Sequence, residues 1–255
     1  MKLILRAILL CSLFALPGLP AFADGTTVNG TFVSQYMFRG ARLGGPSFQP
    51  SVELDSGNFS YGIWANKPLY DRVSGQSDPE IDPWATYTWK VGGSDSFNIA
   101  PGFTFYDYPK ADKTQGFYKS TFEPNIALNY TFRNGVRLTP KLYYDMTQKG
   151  LTYEFTATGA TPLKTLGTEL DWTAMGGTFT TKDYFNGAIP AEKNSGNYYL
   201  VGVKAPYAIK DSTLTLGVAY TKGSDNTIEH ANFPTIDNPD AAGRTVITLS
   251  FGHTF

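Results

Sequence analysis

The last twelve residues, RTVITLSFGHTF at 244–255, alternate from side to side up to the final one. Phe255, His253, Phe251, Leu249 and Ile247 share one side of an extended chain. Thr254, Gly252, Ser250, Thr248 and Val246 share the other. Chain ends are ordinarily the first part of a domain to fray. An end written as a complete strand needs a partner along its whole length.

The same period of two runs back through most of the sequence. In 211–221, DSTLTLGVAYT, Leu214, Leu216, Val218 and Tyr220 oppose Thr213, Thr215, Gly217, Ala219 and Thr221. In 136–145, Val136, Leu138, Pro140, Leu142 and Tyr144 oppose Arg137, Thr139, Lys141, Tyr143 and Asp145. Helical periodicity is nearly absent. About twelve such segments are predicted: 26–39, 47–55, 59–69, 79–91, 96–107, 119–133, 135–146, 150–158, 165–181, 196–208, 212–222 and 244–255. Each is near ten residues, and a tilted strand needs about 9–11 to cross a bilayer.

The connections alternate too. DSGN at 55–58, GGSD at 92–95, RNG at 133–135 and IKDS at 209–212 carry the Gly, Asn and Asp of tight hairpin turns. On the other side, 70–78, 108–118, 182–195 and 223–243 are longer and more polar, while 147–149 is short and 159–164 loose. Short turns at one end and long loops at the other are the habit of an outer-membrane barrel.

The first residues agree. Lys2 and Arg6 precede an apolar run from Ala7 to Leu16, then Pro17, Gly18 and Pro20, then Ala21-Phe22-Ala23. This reads as a cleaved Sec-type signal peptide at 1–23, leaving a barrel domain at 24–255. Cys11, the only cysteine, lies in the leader, so no disulfide holds the exported chain. With Lys2 and Arg6 removed, acidic residues slightly outnumber basic ones, and no basic stripe suggests nucleic acid. Beyond the leader no apolar run is long enough for a membrane helix.

A soluble β-sandwich would alternate as well, but its polar face would be rich in Lys and Glu. Here charged residues are 17 % of the chain and aromatic residues 15 %. The polar face is largely Gly, Ala, Ser, Thr and Asn. Aromatic residues on the apolar face gather at the strand ends. Phe59, Tyr61, Tyr87, Trp89, Tyr130, Phe132, Tyr207 and Phe255 fall at one end, and Tyr36, Phe38, Tyr144 and Tyr220 at the other. Two interfacial girdles have that layout. The expected fold is all-β, a transmembrane antiparallel up-and-down β-barrel of about twelve strands, in the outer membrane of a Gram-negative cell. Its closing strand pairs with its first. Pro50, Pro83, Pro101, Pro124 and Pro140 fit least well and are expected at bulges or at strand ends beyond the bilayer.

On this register the pore-lining set is Arg39, Glu53, Asp55, Glu80, Asp82, Lys90, Glu123, Arg133, Arg137, Lys141, Asp145 and Glu154. Such a lining makes either a wet, charged channel or an ion-pair network that fills a narrow barrel. The loop 223–243 is the candidate lid. No cofactor and no metal is expected, because no Cys/His ligand spacing and no phosphate-cradling loop occurs. A hydrolase would have to draw on Ser224, Asp225 and His230 in one long loop, a poor platform for preorganised chemistry; no catalysis is expected.

Residues 244–255 resemble the C-terminal signature of bacterial outer-membrane proteins, with Ile247, Leu249, Phe251 and Phe255 as its outward set and His253 as a departure. The resemblance implies recognition by the barrel-assembly machinery. Residues 32–45, FVSQYMFRGARLGG, resemble the first strand of TorF-type porins, where a segment like SDYRFRG precedes the first outer loop; Gln35 stands where Asp is usual. FQPSVELDSGNFSYGIWAN at 48–66, with Trp64-Ala65-Asn66, is similar to that family's next hairpin. The resemblance covers about 40 residues. It implies a porin passing small hydrophilic solutes, set in outer-membrane lipid and lipopolysaccharide. A closed barrel that docks a periplasmic or cell-envelope partner is the alternative.

Overall fold

The structure is a computed structural model that describes residues 25–71, 79–111, 117–183, 193–224 and 242–255. The leader and all but the ends of the 223–243 loop lie outside these residues. Fifteen strands are formed: β1 (Gly25–Val33), β2 (Tyr36–Phe38), β3 (Ala41–Gly44), β4 (Ser47–Ser56), β5 (Phe59–Pro68), β6 (Glu80–Tyr87), β7 (Trp89–Lys90), β8 (Phe97–Asp107), β9 (Ser120–Thr131), β10 (Arg137–Asp145), β11 (Gly150–Leu163), β12 (Thr168–Thr181), β13 (Asn194–Ile209), β14 (Ser212–Gly223) and β15 (Arg244–Thr254). Thirteen of them make one antiparallel sheet, and its β6–β8 pairing closes the ring. β6 and β7 are one stave, because both keep a single register against β8. The barrel therefore has twelve staves. β2 and β3 are not part of the wall and form a separate hairpin.

The terminal strand finds its partner as its pattern requires. β15 pairs with β1 from Thr27↔Thr254 to Val33↔Thr248 and with β14 on its other edge. Phe255 N–H donates to Thr26 O at 2.9 Å, so even the last residue is held. A barrel must close because hydrocarbon offers no partner to an exposed strand edge.

Which face is apolar follows from the alternation. Leu216, Val218 and Tyr220 on β14 are exposed, as are Ile247, Leu249 and Phe251 on β15 and Ile126, Leu128 and Tyr130 on β9. Their alternates are enclosed: Glu123 and Ala127 on β9 and Thr221 on β14 are buried. The molecule is turned inside out relative to a sandwich, with its large apolar side chains outward and its polar ones inward. Such a surface is stable only against lipid. No helix among the described residues is long and apolar enough to cross a membrane, so the strands do the crossing.

Three expectations change. Strand 26–39 ends at Val33, and Tyr36 and Phe38 are not lipid-facing girdle residues. They belong to β2, which turns into the barrel. The loose connection at 159–164 is instead strand, since β11 continues to Leu163 before a single 3-10 turn at Lys164–Leu166. The five prolines cause no bulge: the register is constant across each of them. Pro101 shows why they are tolerated. The ladder between β6–β7 and β8 is interrupted around Thr88, across from Ala100 and Pro101, and at Asp82 and Pro83, across from Tyr106 and Phe105, and keeps one register throughout. A missing N–H removes a local rung on one side and shifts nothing. All five rings lie on the outward face by alternation with their neighbours.

The two faces predict opposite tolerance to charge. Leu216→Arg, at mid-strand on the lipid face, is expected to destabilise the barrel by about 2–4 kcal/mol. Thr215→Arg, its inward neighbour, is expected to cost far less. Urea unfolding in lipid vesicles measures both.

Candidate functional site

The inner wall is built from hydrogen-bonded polar side chains at successive inward positions. Thr31 and Ser250 hydroxyls lie 2.7 Å apart across β1 and β15. Gln49 Nε2 donates to Asn66 Oδ1 at 3.0 Å. Asn129 Oδ1 accepts from Thr139, and Asn129 Nδ2 donates to Asn98 Oδ1, both at 2.8 Å. Short side chains of this kind line a lumen without filling it.

The outer mouth is different. Between β1 and β4 the first outer loop folds inward as the β2–β3 hairpin. Its turn residues Arg39 and Gly40 both have positive φ, 48° and 78°. That is the signature of a type I′ turn between Phe38 and Ala41, which are paired. Arginine seldom occupies left-handed backbone, so something must hold it there. Its guanidinium forks onto Glu123 with two hydrogen bonds of 2.8 Å. It also lies 4.7 Å from the ring centres of both Phe38 and Tyr143. Glu123 is on β9 and Tyr143 on β10. β10 is the sixth stave from β1 in a ring of twelve, so the hairpin reaches across the lumen to the far wall.

Further contacts pin the hairpin. Tyr106 donates to Glu123 at 3.0 Å. Phe38 packs edge-on to Tyr106 at 5.8 Å. Tyr36 donates to Glu80 at 2.6 Å and its ring lies 5.7 Å from that of Trp64. Arg42 bonds Gln35 at 2.7 Å and is ion-paired to Asp71. Gly40 meets the wall at β13 and β14 so closely that a Cβ would come within 2.7 Å of Gly223 N and Tyr198 Cβ. Beyond Glu123 the network continues: Tyr143 and Tyr198 both donate to Glu154, at 3.2 and 2.9 Å. The Lys141 ammonium lies 4.6 Å over the Tyr143 ring.

The candidate lining residues thus divide. Arg39, Glu80, Asp82, Glu123, Lys141 and Glu154 gather at the outer half around the hairpin. Glu53 is half-buried on β4. Asp145 caps the N–H groups of Thr147 and Gln148, each at 2.8 Å, and so shapes the short outer turn. Asp55, Lys90, Arg133 and Arg137 are exposed at the short-turn rim. There Asp55 accepts from Ser60, and Lys90 bonds Asp95 at 2.6 Å. That bond and the charge of Lys90 hold the Asp95 carboxyl below the usual carboxylate range. Arg133 lies in the turn after β9 rather than in a strand.

Sequence reasoning missed the aromatic half of the site. Alternation put Tyr106 and Tyr143 on the polar face, but their role as donors to Glu123 and Glu154 was not anticipated. Tyr36, Phe38 and Tyr198 were not singled out as interior residues. The available signal was Arg39-Gly40 followed by Gly44-Gly45-Pro46: a two-residue turn and a stop within what otherwise reads as one strand. Asp225 and His230 of the hydrolase array lie outside the described residues. His253 has its Nδ1 2.9 Å from Ser212 Oγ and its ring against Phe255 at 4.5 Å. Among the described residues no group of three or more His, Cys, Asp or Glu is placed to hold a metal.

The ion pair carries a clear energetic signature. Glu123 is 1 % exposed, so Glu123→Gln strands Arg39 and is expected to cost about 3–5 kcal/mol. Arg39→Ala/Glu123→Gln together should cost less than the sum of the two single changes. Equilibrium unfolding of the four proteins in one lipid tests the cycle.

No protein-family model matches the chain, and no curated protein matches it in sequence. Solved structures do match its fold. The porin NanC is 9 % identical over 89 % of this chain and 98 % of its own, with a TM-score of 0.53. A chain from work on in-meso crystallisation of membrane proteins is 12 % identical over 91 % of this chain and 84 % of its own, with a TM-score of 0.51. LpxR from Salmonella typhimurium is 8 % identical over 91 % of this chain and 100 % of its own, at 0.47. The closed twelve-stave barrel and its exposed apolar belt, on a fold shared with a porin, make this chain a β-barrel of the Gram-negative outer membrane.

Proposed function

We propose that the barrel is a porin-like channel for passive diffusion of small hydrophilic solutes, narrowed at its outer mouth by the β2–β3 hairpin. The observation that carries this reading is the continuous polar inner face beneath an apolar outer one. A wet lumen lowers the cost of moving a polar solute through hydrocarbon, and charged side chains at the constriction select among solutes. The mouth is bordered by Glu80, Asp82, Glu123 and Glu154 against Arg39 and Lys141. Arg39 is neutralised by Glu123, so the remaining charge is acidic and favours cations. The pore-lining roles assigned above to the inward residues belong to this proposal, and no catalytic step does.

Residues 32–45 are the part of the chain that resembles TorF-type porins, and they form the hairpin. That supports a TorF-like channel in which the motif serves the constriction. Residues 1–23 act in this reading as the export leader. Ile247, Leu249, Phe251 and Phe255, all exposed on the lipid side, serve as the signature for the assembly machinery. One observation favours the rival, a closed docking barrel: Arg39 spans the lumen and ties its two walls together.

Planar-bilayer conductance separates the two. The wild-type barrel is expected to give stable steps with cation preference. Arg39→Ala and Gly40→Val, which undock the hairpin by different routes, should both enlarge the steps. Lys164→Ala, in an exposed turn, should leave them unchanged. Silence from folded wild-type protein and from both variants would establish the closed barrel.

A further inference from the structure

Among the described residues three carboxylates are buried, and two of them lack a described counter-charge. Glu80 and Asp82 stand two residues apart on the inner face of β6, at 2 % and 5 % exposure. Neither belongs to any of the described ion pairs. A buried carboxylate stays charged only where donors or cations replace its water. Glu80 has donors: the phenol hydroxyls of Tyr36, at 2.6 Å, and of Tyr108. Two O–H donors work against the cost of burying its charged form. Asp82 takes a backbone N–H from Asp107. Its Oδ1, however, is buried with no hydrogen-bond partner among the described residues. An open carboxylate oxygen two residues from a second buried carboxylate, inside a polar lumen, is an unmet demand for a proton or a cation.

We propose that Glu80 and Asp82 bind one hard divalent cation of the Ca2+ class, bridging their carboxylates at the foot of the β2–β3 hairpin. Two carboxylates neutralise one such ion, and oxygen donors suit it. Water completes its shell, because the protein supplies too few ligands for a tight cage. The affinity belongs with the weak sites of extracellular modules, at about 10⁻⁴–10⁻³ M. Tyr36 of the hairpin is bonded to Glu80, so the ion also steadies the hairpin against the wall. Glu80 and Asp82 also border the proposed constriction, but binding is read on its own, whichever way the conductance experiment falls.

Terbium is the probe, since it replaces Ca2+ and is sensitised by nearby aromatic rings. Trp64 lies directly across from Asp82 in the β5–β6 register, next to Tyr36. Folded wild-type barrel should show saturable terbium emission that Ca2+ displaces. Asp82→Asn should weaken binding by at least about tenfold, and Glu169→Gln, on the exposed part of β12, should not. Should Asp82→Asn fail to fold, Trp64→Phe carries the test, with dimmer emission at an unchanged Ca2+ midpoint. Absence of saturable emission from folded wild-type protein overturns the proposal and leaves a proton shared by the two carboxylates. So does emission indifferent to both Asp82→Asn and Trp64→Phe.

Discussion

Closure is the constraint on which everything else here depends. A strand in hydrocarbon has no water to satisfy the N–H and C=O groups along its edge, and each unmet group costs several kcal/mol. The chain meets that demand where β15 pairs with β1, the one pairing in the ring between strands far apart in sequence. Once the ring is shut, the alternation of side chains must send one set to lipid and the other to the interior. The exposed Phe, Leu and Ile side chains and the polar ladders of Asn, Thr and Ser are two results of one geometric fact.

A ring of twelve leaves an interior wider than side chains from the wall can fill. The chain uses that room by turning its first outer loop inward. The hairpin is held less by apolar packing than by charge and aromatic faces: one arginine set between Phe38 and Tyr143 and forked onto a glutamate on the opposite wall. Such contacts are directional. They place the hairpin in one position across the mouth, where a greasy plug would have settled in many.

The wall was legible in the sequence because its physics is local and periodic. Ten-residue stretches such as 212–223 and 120–131 state their own orientation, and the short turns and long loops state the direction. Closure could be read from Phe255. The hairpin was not legible, because Tyr36-Met37-Phe38 continues the alternation of β1 in sequence although the chain bends at Ser34 and Gln35 and turns back at Arg39 and Gly40. The partners of Arg39 lie 84 and 104 positions away at Glu123 and Tyr143. No local pattern announces a contact made across a lumen. The prolines misled for the opposite reason. A missing donor suggests a fault in the ladder, yet a single rung is lost without any change of register.

Those prolines also bear on how the chain survives before it reaches the membrane. Pro50, Pro83, Pro101, Pro124 and Pro140 are spread over β4, β6, β8, β9 and β10. An exported barrel crosses an aqueous compartment unfolded, with a dozen β-prone segments free to stack on those of neighbouring copies. Stacked cross-β order needs a donor at every residue on both sides of each strand. A proline denies it that, while the finished barrel spares the rung because its other contacts persist. The rings facing lipid thus guard five of the twelve staves against aggregation in transit.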